Sequence, residues 1–458
     1  MTVPLSDIQA FIEQARWFGG KGRRFTVTEI RRLGWVETGT AAAASIELAT
    51  LSYDDGETEL YQLPLAYYPE REERLNHAFV GWWEEPELGG FVHVYDAVHD
   101  RDAMAGWLRA FDRAVPTGTL AWHRLPGHDL DAEAHSTLFS GEQSNSSMAF
   151  GDDALLKVFR KVTTGVNPDI AVHQVLTEAG SDHVAHLYGW LEVEEDGAPL
   201  QLAMLQQFLR TATDGWDAAL TSVRNLFAEA DLHADEVGGD FAAEAARLGE
   251  SLAEVHHTLA THFPTRVRSA DEQAALAEAM ESRLDAALAV VPDLASYADG
   301  LRAAFAAVAD IPAVTVQQVH GDLHLGQTLR TVKGWKIVDF EGEPAKPLAE
   351  RVVPDSPWRD VAGMLRSFDY APRVAERTAA GADDTGAEQR AFRAAEWADR
   401  NSEAFLVAYL GGREMTADER ALLDAYVADK AVYETVYEAR NRPTWVPVPL
   451  TAIERLAG

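Results

Sequence analysis

Two segments, VHGDLHLGQ at residues 319–327 and IVDFEGEP at residues 337–344, decide the fold. The first segment completes an apolar, β-branched run, which predicts a strand that ends close to Asp322. The amide side chain of Gln327 follows five positions later. A second apolar run predicts a strand that ends at Asp339. The sequence therefore predicts acidic and amide side chains at the ends of two consecutive strands.

This arrangement fits phosphoryl transfer, which needs a carboxylate near the attacking hydroxyl and oxygen ligands that hold Mg²⁺ against the phosphates. Asp322 is the candidate catalytic residue, and Gln327 and Asp339 are the candidate magnesium ligands. The spacing is that of the protein-kinase catalytic loop H-x-D-x-x-x-x-N and its D-F-G element, with Gln327 replacing Asn and Glu341 replacing Gly. The form H-G-D-x-H-x-x-Q also resembles aminoglycoside phosphotransferases and related small-molecule kinases. The alternative, in which these residues only cap strands and form turns, is weakened by the correct order of both motifs.

A lysine that neutralises the phosphates of ATP is predicted on the strand ALLKVF at residues 154–159, where it is Lys157. A solvated, outward-facing lysine is the alternative. The helix predicted after residue 168 has no Glu in its first turns, so the partner of Lys157 is left open between Asp169 and His173. The preceding hairpin opens with Ser and Asn, whose hydroxyl and backbone N–H donors can bind phosphate. The candidate phosphate-binding residues are Ser144, Asn145, Ser146 and Lys157.

The strand LAMLQQF at residues 202–208 occupies the chain position of an adenine-binding hinge. Apolar side chains with a free backbone edge would suit a purine, although they would suit any buried strand equally well. Gln206 and Phe208 are the candidate adenine contacts.

Composition excludes several classes of function. The 458 residues contain 47% hydrophobic residues, 25% charged residues and no cysteine, which excludes disulfides, thiolate metal sites and a cysteine nucleophile. The formal net charge of −33 repels nucleic acid and anionic lipid. The first residues lack the pattern of a secretory signal, and no apolar run reaches the ~18 residues of a membrane span. We therefore expect a cytoplasmic protein with neither nucleic acid nor a membrane as partner.

Hydrophobic periodicity changes along the chain and predicts three parts. A short helix and strand-like runs predict an α/β cap subdomain at 1–90, and further hairpins predict a β-rich nucleotide-binding subdomain at 91–209. Long helical periodicity, interrupted by the two motif strands, predicts a mainly helical lobe at 210–458. The predicted fold class is α+β: a bilobal protein-kinase-like fold with an extra N-terminal cap and a large helical C-terminal lobe.

Longer motifs carry a more specific resemblance. They are QARWFG at 14–19, EQSNS at 142–146, DFEGEP at 339–344, PDSPWRDVAGMLRSFDY at 354–370 and YETVYEARNRPTW at 433–445. Together they resemble the actinobacterial maltokinases. The resemblance implies ATP-dependent phosphorylation of maltose at its anomeric oxygen, which gives maltose 1-phosphate and ADP and feeds α-glucan synthesis. We expect a monomer that associates functionally with other enzymes of that synthesis.

The C-terminal helix predicts a sugar-binding surface. Its helical period groups cationic and tyrosine side chains in one stripe that runs from Lys430 to Arg440. Val432, Val436 and Ala439 form a separate apolar face that should pack on the core. An ordinary helix with half-buried tyrosines is the alternative. The predicted sugar-binding residues are His320, Asp322, Glu341, Lys430, Tyr433, Tyr437, Arg440, Asn441 and Trp445, and Arg442 also extends the stripe past the helix end.

Two other functions remain open. A kinase for another sugar, an amino sugar or an aminoglycoside would share every catalytic residue. A catalytically silent kinase-like binding protein would share the fold, but the intact Lys157, Asp322, Gln327 and Asp339 count against it. Asp360 is interpreted as a structural residue that braces the catalytic loop.

Overall fold

The described residues among the first hundred contain one α-helix and five strands, because turn residues separate short apolar runs. The elements are α1 (Leu5–Gln14), β1 (Phe25–Val36), β2 (Ala43–Tyr53), β3 (Thr58–Tyr68), β4 (Phe79–Glu85) and β5 (Gly90–Asp96). The strands pair antiparallel in the order β1-β2-β3-β5-β4. Gly56 turns the chain between β2 and β3 at φ +89°, a conformation that favours glycine. Ile8 and Ile12 of α1 pack in a hydrophobic cluster with side chains of this sheet.

A second antiparallel sheet follows and supplies the strand that carries Lys157. The elements are α2 (Arg101–Arg113), β6 (Ala121–Arg124), β7 (Ser136–Leu138), β8 (Asn145–Phe150), β9 (Ala154–Phe159), β10 (Lys161–Val162), α3 (Pro168–Glu178), β11 (Leu187–Glu195) and β12 (Ala198–Gln207). The order is β6-β11-β12-β9-β8-β7, and the short β10 pairs with β3 of the first sheet. Trp107 and Phe111 of α2 pack edge-to-face on Trp122 and belong to a cluster that contains side chains of both sheets.

Helices dominate the chain after residue 210, in agreement with the long helical periodicity of the sequence. They are α4 (Gly215–Ala228), α5 (Ala242–His262), α6 (Ala270–Val290), α7 (Ala298–Ala309), α8 (Leu348–Arg351), α9 (Trp358–Ala379), α10 (Ala387–Tyr409), α11 (Ala417–Asn441) and α12 (Pro447–Ala457). The strands between them are β13 (Thr213–Asp214), β14 (Arg266–Ser269), β15 (Ala313–Val316), β16 (Thr328–Thr331) and β17 (Gly334–Ile337). Capping boxes at Ser269 and Thr416 begin α6 and α11.

The chain divides into two units. The N-terminal unit consists of Met1–Gln174 and Ala185–Arg210, and the C-terminal unit consists of Val175–Val184 and Thr211–Gly458. Antiparallel sheets in the first and helices in the second confirm the predicted α+β class. The predicted boundary after residue 90 falls inside β5, since the pairing of β5 with β3 and β4 carries the first sheet on to Asp96.

The structure is a computed structural model. It describes residues 3–40, 42–139, 141, 144–229, 231–343, 346–379 and 386–457. Glu142, Gln143 and Pro344, which belong to the quoted motifs, lie outside these ranges. Within them, none of the helices combines the length and the apolarity that a membrane crossing demands.

Candidate active site

Asp360, at the start of α9, fixes the backbone of the catalytic loop. The N–H groups of His320 and Gly321 donate to its two carboxylate oxygens at 2.7 and 2.8 Å, and His256 Nε2 lies 3.1 Å from Oδ2. Burial opposes ionisation of Asp360, but the hydrogen bond and charge of His256 outweigh burial and lower the pKa of the carboxyl. Gly321 adopts φ +85°, which the sharp loop requires. The predicted bracing role of Asp360 is confirmed.

His320 positions the loop instead of contacting a sugar. Its Nε2 donates to the carbonyl of Val338 at 3.0 Å, and its Nδ1 accepts from the N–H of Asp322 at 3.3 Å. The ring packs 4.9 Å from the ring of Phe340, and the residue is 2% exposed. The structure therefore contradicts the predicted sugar contact of His320, because the ring is buried and both nitrogens are engaged.

Asp322 forms an ion pair with Lys430 of α11. Lys430 Nζ donates to Asp322 Oδ1 at 2.8 Å, and both side chains are only partly buried. Burial alone would lower the pKa of Lys430, but the adjacent carboxylate of Asp322 outweighs burial and raises it. Lys430 therefore stays charged and orients the carboxylate of Asp322. Burial also lowers the pKa of the neighbouring His324.

A cavity of about 600 Å³ opens beside Asp322 within the C-terminal unit. Tyr433 and Tyr437 of α11 form one wall, with ring centroids 6.5 Å apart and planes inclined by 25°. Such a wall offers two aromatic faces in succession along the helix. The lining residues are Asp214, Trp216, Asp322, His324, Gly326, Gly363, Arg366, Ser367, Tyr370, Lys430, Tyr433, Glu434, Tyr437, Glu438 and Arg442.

Paired charges also line this cavity. Arg366 Nη2 donates to Glu434 at 2.6 Å. Glu438 accepts from the Tyr370 hydroxyl at 2.5 Å and from Arg442 at 2.6 Å. Sequence reasoning missed the two glutamates and their partners on α9. The motif at 354–370, which carries Arg366 and Tyr370, is the signal in the sequence that points to them.

The end of the predicted sugar-binding stripe lies elsewhere. Arg440 is exposed, the Asn441 side chain donates to the Tyr437 carbonyl at 2.8 Å, and the Trp445 ring packs 4.8 Å from the Arg442 guanidinium. In the described part of the chain, the cavity lining includes none of Arg440, Asn441 and Trp445. The residues predicted to extend the sugar contacts thus lie outside this cavity, because α11 lines it with Lys430, Tyr433, Glu434, Tyr437 and Glu438.

The candidate magnesium ligands lie together in the C-terminal unit. Gln327 Nε2 donates to Asp339 Oδ2 at 2.9 Å. Asp339 and Glu341 place carboxylate oxygens within 4.8 Å of each other. Carboxylate and amide oxygens are the ligands that a hard divalent cation takes, so this donor set fits Mg²⁺. Glu341 therefore accompanies the candidate metal ligands and does not line the cavity, in contrast to its predicted sugar contact.

Lys157 of β9 has an acidic partner on α3. Its Nζ donates to Asp169 at 2.9 Å, and His173 Nδ1 lies 3.1 Å from the other carboxylate oxygen. Burial opposes ionisation of Asp169, but the charges of Lys157 and His173 outweigh burial and lower its pKa. The partner left open by the sequence is thus Asp169, and His173 supports it.

The serine loop differs from its prediction at Ser146. Ser147 is the register partner of Lys157, so Ser146 faces the opposite side of the sheet, where it accepts from Arg160 at 2.8 Å. The predicted phosphate contact of the Ser146 side chain is therefore wrong. Asn145 is the first residue of β8 and pairs in register with Phe159. Ser144 directly precedes this strand and is exposed.

The free backbone edge predicted for the strand at 202–208 is also wrong within β12. Strand β12 is central, because β11 and β9 pair with its two edges, and Gln206 has Leu187 and Leu155 as register partners. The N–H of Phe208, just past the strand, donates to the Asp153 carbonyl at 2.7 Å. The adenine contacts of Gln206 and Phe208 remain predictions. They would have to use backbone groups that take no part in the pairing of β12 with β9 and β11.

Comparisons with known proteins agree with the geometry. Residues 11–100 match the maltokinase N-terminal cap domain, and residues 135–397 match the phosphotransferase enzyme family. A glucosamine kinase of Streptacidiphilus jiangxiensis is 31% identical over 322 residues, which cover 67% of this chain and 70% of that protein. A glucosamine kinase of Mycolicibacterium smegmatis is 28% identical over 325 residues, with 69% and 78% covered.

A solved structure shares the whole fold. It is a glucosamine kinase in complex with glucosamine, ADP and inorganic phosphate, with a TM-score of 0.71 and 23% identity over 100% of both chains. This likeness, together with the family matches, confirms the predicted cap and the kinase-like fold. The chain therefore belongs to the phosphotransferase enzyme family and carries the N-terminal cap domain of maltokinases.

Proposed function

We propose that the chain is an ATP-dependent maltokinase, which transfers the γ-phosphoryl group of ATP to the anomeric oxygen of maltose. The products are maltose 1-phosphate and ADP. The observation that carries the proposal is the cavity of about 600 Å³ beside Asp322, which exceeds the space that a single hexose ring requires. The wall formed by Tyr433 and Tyr437 supports the binding of a second ring. The maltokinase cap domain supports the same substrate.

Charge balance in the cavity supports a neutral acceptor. Three carboxylates, those of Asp322, Glu434 and Glu438, already have cationic partners within 2.8 Å. An ammonium group would gain little from carboxylates whose charge is already neutralised. A neutral disaccharide could use the same groups as hydrogen-bond donors and acceptors.

An amino-sugar kinase is the second candidate, and the two glucosamine kinases among the relatives favour it. Asp214 is the lining carboxylate that would meet an ammonium group. It accepts from the N–H of Asp217 at 3.1 Å, and burial raises its pKa. We expect the conservative variant Asp214→Asn to keep maltose kinase activity. Loss of a glucosamine activity in this variant, with maltose inactive in the unmodified chain, would favour the second candidate.

The mechanism assigns one role to each candidate residue. Asp322, held by Lys430 through Oδ1, orients the anomeric hydroxyl and accepts its proton. Lys157, held by Asp169, neutralises charge on the phosphates of ATP. Gln327 and Asp339 would hold Mg²⁺, which supplies charge neutralisation at the phosphates when bound.

The position of transfer is tested with a blocked substrate. Methyl α-maltoside has both rings of maltose but no anomeric hydroxyl. We expect it to inhibit maltose phosphorylation competitively and to consume no ATP, whereas methyl α-glucoside should inhibit much more weakly. ATP-dependent phosphorylation of methyl α-maltoside would contradict transfer to the anomeric oxygen. The predicted monomeric state, the association with other enzymes of α-glucan synthesis and the cytoplasmic location remain predictions.

A further inference from the structure

We infer that a second cavity, of about 830 Å³ and formed wholly by the N-terminal unit, is a binding site for a neutral oligosaccharide. Side chains of α1, β4, β8 and the residue after β9 line it. The inference goes beyond the proposed activity, because none of its lining residues belongs to the cavity beside Asp322. It rests on one buried donor, an exposed aromatic wall and the balance of charge.

Arg160 is the buried donor at the base of the cavity. Its Nε donates to Ser146 at 2.8 Å, its Nη2 donates to Asp96 at 2.7 Å, and the guanidinium packs 4.8 Å from the ring of Trp17. The residue is 0% exposed, yet its Nη1 has no hydrogen-bond partner among the described residues. Buried donors without acceptors are unfavourable and rare in native proteins. An oxygen of a bound ligand would satisfy this group.

The mouth of the cavity carries exposed aromatic side chains. Trp82 is 52% exposed and Phe79 is 45% exposed, and Phe139 lies in the same lining. Trp82 stacks on Phe91 of the adjacent strand with centroids 4.5 Å apart and planes inclined by 25°. This stacking fixes the orientation of the indole before a ligand arrives. Fixed, exposed aromatic faces bind the apolar C–H faces of sugar rings.

The charges of the cavity favour a neutral ligand. Its two carboxylates, Asp7 and Asp96, are balanced by two guanidinium groups, Arg16 and Arg160. Burial lowers the pKa of His99, which also lines the cavity, so this ring adds no charge near pH 7, and its Nδ1 lies 3.3 Å from Nε2 of His77. The overall charge of −33 further disfavours a free anion.

A short neutral oligosaccharide combines the features that these groups recognise. Its hydroxyl oxygens can accept from Arg160, its hydroxyl groups can donate to Asp96, and its ring faces can lie on Trp82 and Phe79. The volume of about 830 Å³ falls within the range of ligand-binding cavities and accommodates more than one ring.

The test uses methyl α-maltotrioside, which cannot be phosphorylated at the anomeric oxygen, and isothermal titration calorimetry on the full chain. We expect two binding events in the unmodified protein. Trp82→Ala should weaken one of them by roughly tenfold or more, as the loss of one aromatic platform predicts. Tyr437→Ala should weaken the other and leave the Trp82-dependent event unchanged. The control Phe392→Ala removes an aromatic residue on α10 that is more exposed than Trp82, and it should leave both binding events unchanged.

Each arm has an outcome that overturns the inference. Binding curves of Trp82→Ala that match those of the unmodified protein would exclude the N-terminal site. Trp82-dependent binding of inorganic phosphate without binding of the trisaccharide would identify an anion site instead. The Trp82-dependent binding event is measured in Tyr437→Ala with a ligand that is not a substrate. Absence of this event therefore contradicts the N-terminal site and leaves the maltokinase proposal untouched.

Discussion

At the residue scale, Asp322 receives its orientation from a neighbour in its own loop, the ring of His320, and from a distant residue, Lys430, whose ammonium group pairs with the carboxylate. Loss of a general base lowers turnover by roughly 10²–10⁴. We expect Asp322→Asn to lower kcat by this factor and to leave the melting temperature nearly unchanged, as steady-state kinetics and thermal unfolding would show. The control Asp299→Asn changes an exposed aspartate of α7 and should keep normal turnover. Near-normal turnover in Asp322→Asn would remove this residue from the mechanism.

Asp339 combines a candidate metal ligand with an unusual backbone. Its φ of +67° lies in the left-handed region, which Asn tolerates better than the other non-glycine substitutes for Asp. Asp339→Asn therefore removes the charge with little added strain. We expect kcat to fall by roughly 10² or more and the Mg²⁺ concentration for half-maximal activity to rise. A magnesium titration that superimposes on that of the unmodified enzyme would contradict the assignment.

Asp360 should make the catalytic loop sensitive to acid. Its pKa is lowered in the folded chain, so the stability it contributes is present above the unfolded value of about 3.9 and is lost as the pH falls through the folded value. We expect Asp360→Asn to lower the free energy of unfolding by about 2–4 kcal/mol at pH 7. The difference between the two proteins should shrink below about pH 4. Urea unfolding at several pH values measures this difference in the free energy of unfolding. A difference that grows on acidification would contradict this account.

At the element scale, α11 connects the candidate catalytic carboxylate of Asp322 to the rest of the proposed sugar site. Lys430 contacts Asp322, and Tyr437 lies about two turns further along the helix. Contacts remote from the reacting atom can raise the rate as well as the affinity. We expect Tyr437→Ala to lower kcat/KM for maltose by roughly 10–100-fold and to change any residual glucose activity much less.

The same helix provides the control. Arg440 is exposed and lies outside the cavity lining, so Arg440→Ala should leave kcat/KM for maltose unchanged within error. Equal losses in Arg440→Ala and Tyr437→Ala would show that the two substitutions act through the stability of α11. Equal losses with maltose and glucose in Tyr437→Ala would contradict the second-ring contact.

The elements themselves could be predicted from periodicity, but their packed faces could not. The sequence indicated a C-terminal helix that carries Lys430 to Arg440, which the structure contains as α11, yet Thr435 and Glu438 are buried where Val436 and Ala439 were expected. Hydrophobicity assigns apolar side chains to the core, whereas a buried carboxylate is stable here because Tyr370 and Arg442 satisfy it. The central position of β12 was likewise hidden, since strand order depends on pairing and not on the strand's own residues.

At the scale of the whole molecule, local motifs predicted the chemistry, and distant contacts determined the cavities. The spacing of Asp322, Gln327 and Asp339 lies within one short stretch and could be recognised directly. The pair of Asp322 with Lys430 spans 108 residues, and the pair of Arg160 with Asp96 spans 64. No local pattern encodes such contacts, so the N-terminal cavity was not foreseen.

The substrate is the central claim, and one measurement tests it most directly. The unmodified chain is assayed with ATP and Mg²⁺ against maltose, glucose and glucosamine, and each product is examined by ³¹P NMR. The account predicts the highest kcat/KM for maltose and a single phosphate resonance coupled to the anomeric proton. A higher kcat/KM for glucosamine, or a phosphate coupled to any other sugar proton, would contradict it.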